Sequence, residues 1–239
     1  MSALTDILET FRKTSKSERE KGNYFEKLAK LYFTNEPKFA DLYKHVWLWE
    51  EWRADWIKSG HADPGADTGI DLVAKTHGAD DYHAIQAKFY DADSTIYKKQ
   101  VDSFFTASGK KPFIQRLLLL STDRISPHVD AAMQGQNTPC QTITLAELDQ
   151  SVIDWTATLK SNAVQERPRK GLRDYQKTAV AQVVAGLQQA DRGKLIMACD
   201  TGKTFTSLRL AEDIAGAGGR VLFLVPSLAL LSQSLTEWT

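Results

Sequence analysis

The stretch Gly69-Ile70-Asp71-Leu72-Val73-Ala74, followed by Ala84-Ile85-Gln86-Ala87-Lys88-Phe89, decides how this chain folds. Both runs consist largely of apolar and β-forming residues, and His77-Gly78-Ala79-Asp80-Asp81 between them is rich in turn residues. This order predicts a two-stranded ribbon. Successive side chains of a strand point to opposite faces, so residues two apart along either run share a face.

Three polar side chains fall on one face of this ribbon. Gln86 and Lys88 point the same way, and Asp71 joins them when the strands pair. Oxygen ligands suit Mg²⁺, so the Asp71 carboxylate, the Gln86 amide and the Ala87 carbonyl are candidate ligands. Lys88 is placed to orient or help deprotonate an attacking water, or to balance the charge of a phosphate. The alternative is an ordinary hairpin whose polar side chains are solvated.

The same residues resemble the PD-(D/E)xK nucleases of the Mrr type, in which the last motif often reads QxK. Asp71 matches the acid of the motif, and Gln86-Ala87-Lys88 matches QxK. A helical glutamate often assists in this family, and Glu26 matches its place. The resemblance implies DNA cleavage with Mg²⁺, with Asp71, Gln86, Lys88 and Glu26 as catalytic residues and Asp71 and Gln86 as metal ligands. From its helical pattern alone, Glu26 fits a solvated position equally well.

The elements predicted around the ribbon form a compact α/β domain with a small central sheet. Four tryptophans between residues 39 and 56 fit a hydrophobic core better than a base-stacking surface. The order of elements, with the acid and QxK on adjacent strands, is also that of the restriction-endonuclease-like fold. Helices are predicted over residues 3–13, 17–33, 94–108, 127–133 and 146–159, and further strands over 116–121 and 141–145.

A second set of elements follows a polar, non-periodic stretch at residues 161–170. Helices are predicted over residues 172–189 and 205–216, and strands over 194–198 and 220–225. The loop Cys199-Asp200-Thr201-Gly202-Lys203-Thr204 lies between the first strand and the second helix, which is the setting of a phosphate-binding loop. Lys203 is expected to reach the β and γ phosphates of a nucleotide, and Thr204 to ligate Mg²⁺.

This second segment resembles the start of a superfamily 2 helicase motor of the restriction-subunit type. Arg173, Tyr175 and Gln176 match the element that reads adenine, residues 198–204 match the phosphate loop, and Val225-Pro226-Ser227-Leu228 matches the next motif. The resemblance implies nucleotide binding by Gln176, Thr201, Gly202, Lys203 and Thr204.

The segment also departs from that motor family. Asp200 replaces the usual glycine, either as a natural variant or as an engineered change, and its carboxylate disfavours nearby phosphates. No DExx motif follows residue 228, so we expect no productive ATP hydrolysis by this chain alone.

A nuclease ahead of such a motor resembles the single-polypeptide Type ISP restriction–modification enzymes. The predicted fold is therefore α/β, with a PD-(D/E)xK domain at residues 1–160, a linker at 161–170 and the first part of a RecA-like P-loop domain at 171–239. The resemblance implies Mg²⁺ for the nuclease, ATP and Mg²⁺ in the full-length protein, and double-stranded DNA as the partner. It also implies a second nuclease copy when both strands are cut.

Composition narrows these expectations. The 239 residues carry 30 Lys and Arg against 30 Asp and Glu, so DNA binding requires a local basic surface, for which Lys98, Lys99, Lys110 and Lys111 are candidates. Two distant cysteines and the lack of a signal peptide or membrane span predict a cytoplasmic protein. Two alternatives to the nuclease stay open: a catalytically silent nuclease-fold module that binds DNA or docks a partner, and a plain NTP-binding protein.

Overall fold

The chain is described by a computed structural model for residues 2–66, 69–78, 81–161, 163–168, 171–198, 201–216, 218–226 and 234. It folds as two compact units, Met1–Arg167 and Pro168–Thr239. Several residues singled out from the sequence lie outside the described residues: Ala79, Asp80, Cys199, Asp200, Ser227 and Leu228.

The first unit is built on a five-stranded mixed sheet in which the strands lie in chain order. The first three strands are antiparallel, and the last two run parallel to the third. The predicted ribbon is confirmed as the second and third strands, where Leu72 pairs with Ile85 and Ala74 with His83. The strands are β1 (Tyr43–Leu48), β2 (Leu72–Thr76), β3 (Tyr82–Lys88), β4 (Phe113–Leu120) and β5 (Cys140–Ile143).

Helices cover both faces of this sheet, which gives three layers. One face packs against α1 (Ala3–Thr14), α2 (Glu18–Asn35), α3 (Pro37–Ala40), α7 (Leu145–Asp149) and α8 (Trp155–Ser161). The other face packs against α4 (Trp49–Lys58), α5 (Asp102–Ala107) and α6 (Pro127–Met133). This double coverage explains why the four consecutive leucines of β4 are all buried, as the sequence predicts for a parallel strand.

The N-terminal helices begin where their capping residues require. The Ser2 side chain accepts a hydrogen bond from the Thr5 N–H, and the Ser17 side chain accepts one from the Glu20 N–H. Both helices then bury one stripe against the sheet, since Leu4 and Leu8 are buried beside the residues of α2. The predicted helices at residues 3–13 and 17–33 are confirmed.

Two of the four clustered tryptophans are core residues. Trp49 and Trp52 are buried on the α4 face of the sheet, with ring centroids 5.0 Å apart. Trp47 and Trp56 are partly buried against the same cluster, so the core interpretation is confirmed. Trp47 lies in β1, a strand that the sequence analysis did not predict.

Two predicted helices are wrong in extent. The segment 94–108 contains only one 3₁₀ turn, Lys98–Gln100, before α5, because Ile96 forms a parallel bridge with Ile125 instead. The segment 146–159 divides into α7 and α8. Between them, Ile153 is fully buried and bridged to Glu166, so the chain there is extended and cannot continue as a helix.

The predicted linker is partly docked on the first unit. The Asp154 N–H donates to the Gln165 carbonyl at 2.7 Å, and the Arg167 N–H donates to the Val152 carbonyl at 2.7 Å. Residues 165–167 are therefore tied to the extended segment between α7 and α8. The domain bounds of 1–160 and 171–239 stay a prediction.

The second unit contains α9 (Asp174–Leu187) and α10 (Lys203–Ala215), close to the predicted helices. The strands predicted at residues 194–198 and 220–225 are wrong, because the backbone of both segments is irregular. Several of their apolar side chains are exposed, among them Ile196 at 89% and Leu222 at 83%. Among the described residues, no helix is long and apolar enough to cross a bilayer.

A buried histidine makes the stability of the first unit depend on pH. The Tyr43 hydroxyl lies 2.8 Å from His83 Nδ1, and burial lowers the pKa of His83, although Asp81 partly opposes this. The unfolded chain therefore binds a proton near pH 6.5 that the folded chain rejects. This contribution to stability is complete above that pH and is lost as the pH falls towards the lowered pKa.

We accordingly expect the urea midpoint of the wild-type chain to fall between about pH 7.5 and about pH 5.5, and to fall less in His83→Gln. Glutamine can still accept a hydrogen bond from the Tyr43 hydroxyl, but it does not titrate. His77→Gln, at an exposed position, is the matched control and should behave like the wild type. An equal decline in His83→Gln and the wild type would refute this assignment.

Candidate active site

The polar residues of the ribbon gather at one end of the sheet. Because β2 and β3 are antiparallel, the first residues of β2 lie beside the last residues of β3. Because β3 and β4 are parallel, their last residues lie side by side. Asp71 immediately precedes β2, while Lys88 is the last residue of β3 and pairs with Leu120. Parallel strands followed by connecting segments place loop residues at such an end, where ligands commonly bind.

Asp71 is fixed by both its backbone and its side chain. Its N–H donates to the Ile85 carbonyl at 3.0 Å, and its carbonyl accepts from the Trp49 N–H at 2.9 Å. Asp71 Oδ2 accepts from the Ala87 N–H at 2.7 Å. The Asp71 carboxylate thus takes the place of the backbone carbonyl to which the Ala87 N–H would donate in a regular strand pair. The N–H and carbonyl of a strand residue point to the same side, so the Ala87 carbonyl also faces the chain at Asp71, just before β2.

Gln86 is fully buried, and its amide is only half satisfied. Nε2 donates to the Gly69 carbonyl at 2.6 Å, which fixes the amide and leaves Oε1 as its acceptor. Oε1 is buried without a hydrogen-bond partner among the described residues. An unsatisfied buried acceptor costs about 1–3 kcal/mol, so its presence beside a carboxylate favours a cation at this point.

Gly69 makes this arrangement possible. Its φ of +109° is rare for residues with a side chain, and a Cβ atom there would lie 3.1 Å from Gln86 Nε2. The same atom would lie 2.9 Å from Ser103 Oγ and 3.2 Å from the Phe104 nitrogen. The chain that leads into Asp71 therefore packs directly against α5.

Lys88 and Glu26 lie on opposite faces of the sheet. Lys88 is half-buried, shares the face of Gln86 and forms no ion pair within the described part of the chain. Glu26 is half-buried on α2, which packs on the opposite face. Phe25, the residue before it, stacks on Phe89 with ring centroids 5.2 Å apart. Glu26 is thus near the end of β3, and its part in the site stays a prediction.

The residues present fit a hard divalent cation. They supply a carboxylate, an orphaned amide oxygen and a backbone carbonyl, all oxygen donors. No group of three or more His, Cys, Asp or Glu side chains is gathered as a metal site among the described residues. One protein carboxylate with remaining positions for water and phosphate oxygens matches Mg²⁺ better than Zn²⁺.

Two residues that the sequence analysis missed hold the chain just after Lys88. Arg12 of α1 donates from Nη2 to the Tyr90 carbonyl, and its guanidinium lies 4.8 Å from the centre of the Phe89 ring. Ser121 Oγ accepts from the Tyr90 N–H at 2.8 Å and donates to the Tyr90 carbonyl at 2.7 Å. Neither residue belongs to a motif, and only the folded contacts identify them.

The described part of the predicted phosphate-binding loop has its own hydrogen-bond network in the second unit. Gly202, with φ of +72°, precedes α10, and Lys203 Nζ donates to the Ala198 carbonyl at 3.0 Å. The Thr201 carbonyl accepts from Gln176 Nε2 at 3.0 Å and from the Tyr175 hydroxyl at 3.1 Å. The structure therefore joins the predicted adenine-reading element to the loop, and Thr204 lies in the first turn of α10.

Comparisons with known families divide the chain close to the boundary between the two units, which lies after Arg167. Residues 34–165 match the family described as restriction endonuclease, and residues 169–239 match the family described as Type III restriction enzyme, res subunit. No curated protein matches the chain.

Two solved structures are similar to different degrees. The ATP-dependent Type ISP restriction–modification enzyme LlaBIII bound to DNA is 33% identical over 98% of this chain, with a TM-score of 0.69. This chain spans 14% of the length of that enzyme. MspJI restriction endonuclease, in complex with a 27-mer oligonucleotide, is 12% identical over 56% of this chain and 32% of its own, with a TM-score of 0.29.

Proposed function

This chain belongs to the restriction endonuclease family, and from that premise we propose that its first unit is an Mg²⁺-dependent DNA endonuclease. The chain carries this domain ahead of a helicase-like region and matches a Type ISP restriction–modification enzyme. One observation supports the catalytic proposal most directly. The Asp71 carboxylate accepts a hydrogen bond from the N–H of Ala87, the residue between Gln86, whose Oε1 is buried without a partner among the described residues, and Lys88.

The proposed reaction is hydrolysis of a phosphodiester bond of double-stranded DNA. Asp71, Gln86 and the Ala87 carbonyl would hold the cation, which when bound polarises the phosphate and makes a water more acidic. Lys88 would orient the attacking water and balance the charge that develops on the phosphate. Gly69 and α5 keep the Gln86 amide in one orientation, so that its oxygen needs no rearrangement.

Glu26 is proposed as an assisting residue of the same site. Its helix reaches the end of β3 through the contact of Phe25 with Phe89, and the Arg12 guanidinium lies 4.8 Å from the centre of the Phe89 ring. A second carboxylate at this point would add negative charge for the cation to neutralise. The role requires Glu26 to act on the water or the cation, and not on the fold.

The second unit is proposed to bind nucleotide in the full-length protein. Thr201, Gly202, Lys203 and Thr204 would receive the phosphates and Mg²⁺ of ATP, and Gln176 would read the adenine. The bond of Gln176 to the Thr201 carbonyl supports a coupling between base and phosphate recognition. In this proposal a motor drives the nuclease along DNA, and a second nuclease copy cuts the other strand.

The proposal is tested by incubating the 239-residue chain with supercoiled plasmid in Mg²⁺ or Mn²⁺. We expect open-circular product that requires the metal and is absent in EDTA. Metal titration of the same chain, followed by tryptophan fluorescence, gives a second readout that needs no turnover, because the Trp49 N–H donates to the Asp71 carbonyl at 2.9 Å. DNA binding without cleavage and without metal binding would refute the nuclease and support a silent DNA-binding module.

A further inference from the structure

A cavity with two lysines in its lining lies on the segments that follow β3 and β4. It has a volume of about 420 Å³ and is lined by Tyr97, Lys98, Lys99, Ser126 and His128. Every one of these side chains can donate a hydrogen bond or carry positive charge, and none of them is a carboxylate. Such a lining suits an anion that accepts several hydrogen bonds.

Ser126 gives an independent indication that the cavity binds a ligand. The residue is 5% exposed, and its Oγ is buried without a partner among the described residues. Serine before a helix usually caps it, but Ser126 forms no side-chain capping bond with α6. Its backbone N–H donates to the Ile96 carbonyl at 2.9 Å. The hydroxyl therefore serves neither the helix nor the core, and a ligand would satisfy it.

The cavity is at the same end of the sheet as Asp71 and Lys88. Its residues come from the two segments that follow β3 and β4, which are joined where Ile96 bridges Ile125. The distance from the cavity to the catalytic centre is also limited, because α5 connects the two regions. A Cβ atom placed on Gly69 would lie 2.9 Å from Ser103 Oγ of α5. Lys99 precedes Ser103 by four residues, which span at most about 14 Å. Phosphates of neighbouring nucleotides fall within this range.

The charges around the cavity distinguish its two lysines. Lys98 pairs with Asp102 at 2.7 Å, whereas Lys99 has no ion pair within the described ranges. The other two lysines considered from the sequence, Lys110 and Lys111, precede β4 and so lie at the opposite end of the sheet. Of these two lysine pairs, only Lys98 and Lys99 lie at the end of the sheet that carries the proposed catalytic centre.

We propose that this cavity binds a backbone phosphate of duplex DNA, adjacent to the bond that the nuclease cuts. The inference rests on the proposed function for its substrate, and it adds a binding site that positions the duplex. Lys99 supplies positive charge, and His128, Ser126 and Tyr97 supply hydrogen-bond donors. A chain with no net charge needs such a local site to hold an anionic polymer.

The first experiment compares two double variants in duplex binding without cleavage. The wild-type chain, Lys98→Ala/Lys99→Ala and Lys110→Ala/Lys111→Ala are titrated with a fluorescent duplex in EDTA at several salt concentrations. We expect the cavity variant to bind about tenfold more weakly per lost phosphate contact at 0.1 M salt, with a salt slope smaller by about one. The control variant should bind like the wild type. Equal losses in both variants, or no binding by the wild type, would overturn the proposal.

Ser126→Ala separates binding from folding. Removing a buried, unsatisfied hydroxyl should leave the urea midpoint unchanged or raise it, while duplex affinity falls. Unchanged affinity would overturn the role of Ser126.

Failure of this inference is distinguishable from failure of the proposed function, because DNA binding by the cavity is measured without metal. A chain that binds DNA through the cavity but neither cleaves it nor binds metal would refute only the nuclease. A chain that cleaves, with unchanged affinity in both cavity variants, would refute only this site.

Discussion

Asp71→Asn is expected to lower metal-dependent plasmid cleavage roughly a thousandfold, because the cation that Asp71 would hold stabilises the transition state by several kcal/mol. The substitution removes the charge and keeps the shape of the side chain. The asparagine oxygen can still accept the hydrogen bond that Asp71 Oδ2 receives from Ala87. The fold should therefore survive with a loss of about 1 kcal/mol, the difference between a charged and a neutral acceptor.

The measurement is the rate of open-circle formation, taken together with the urea midpoint and a metal titration of each chain. Asp55→Asn, on the exposed side of α4, removes the same charge away from the site and should leave all three values unchanged. Lys88→Met should also abolish cleavage, yet it should preserve metal binding, since Lys88 acts on water and phosphate. Cleavage by Asp71→Asn at more than a tenth of the wild-type rate would show that Asp71 is not the metal ligand.

Local patterns explain why the ribbon and its polar face could be predicted from the sequence. Alternation along β3 alone separates Gln86 and Lys88 from Ile85, and pairing with β2 brings in Asp71. The leucines of β4 similarly predict a strand covered on both faces. None of these inferences needs knowledge of distant contacts, and the structure confirms them.

Non-local pairing explains the errors. Residues 194–198 and 220–225 have the composition of parallel strands, but a parallel strand requires a neighbour that composition does not identify. In the same way, Ile96 is apolar at a helical spacing and nevertheless bridges Ile125. Sequence periodicity cannot indicate which of the two environments a short apolar run will enter.

In the candidate site, too, the sequence predicts the residues of the motif but not the contacts that distant segments make with them. Asp71 and the Gln86-Ala87-Lys88 motif could be read from the sequence. The orphaned Gln86 oxygen could not, because it depends on how α5 packs against Gly69. Ser126 is a further case, since its hydroxyl is notable only because the expected helix cap is not formed.

Gly69→Ala is expected to damage both stability and cleavage, and Gly65→Ala provides the matched comparison. Both glycines have positive φ, +109° and +91°, so an alanine costs about 1–3 kcal/mol of backbone strain at either position. Only Gly69 is enclosed, because a Cβ atom at Gly65 would have nothing within 4 Å. Overpacking at Gly69 should add about another 1–3 kcal/mol.

The extra cost at Gly69 should also appear in catalysis. The Phe104 nitrogen is backbone and cannot move cheaply, so the Gln86 amide must rotate away from the new methyl group and lose its bond to the Gly69 carbonyl. A ligand displaced by about 1 Å can cost a hundredfold in rate, and we expect a loss of that order. Cleavage per folded molecule and urea midpoints are measured for both variants. Because strain is common to both, equal losses would mean that the contact of Gly69 with Gln86 does not hold the site.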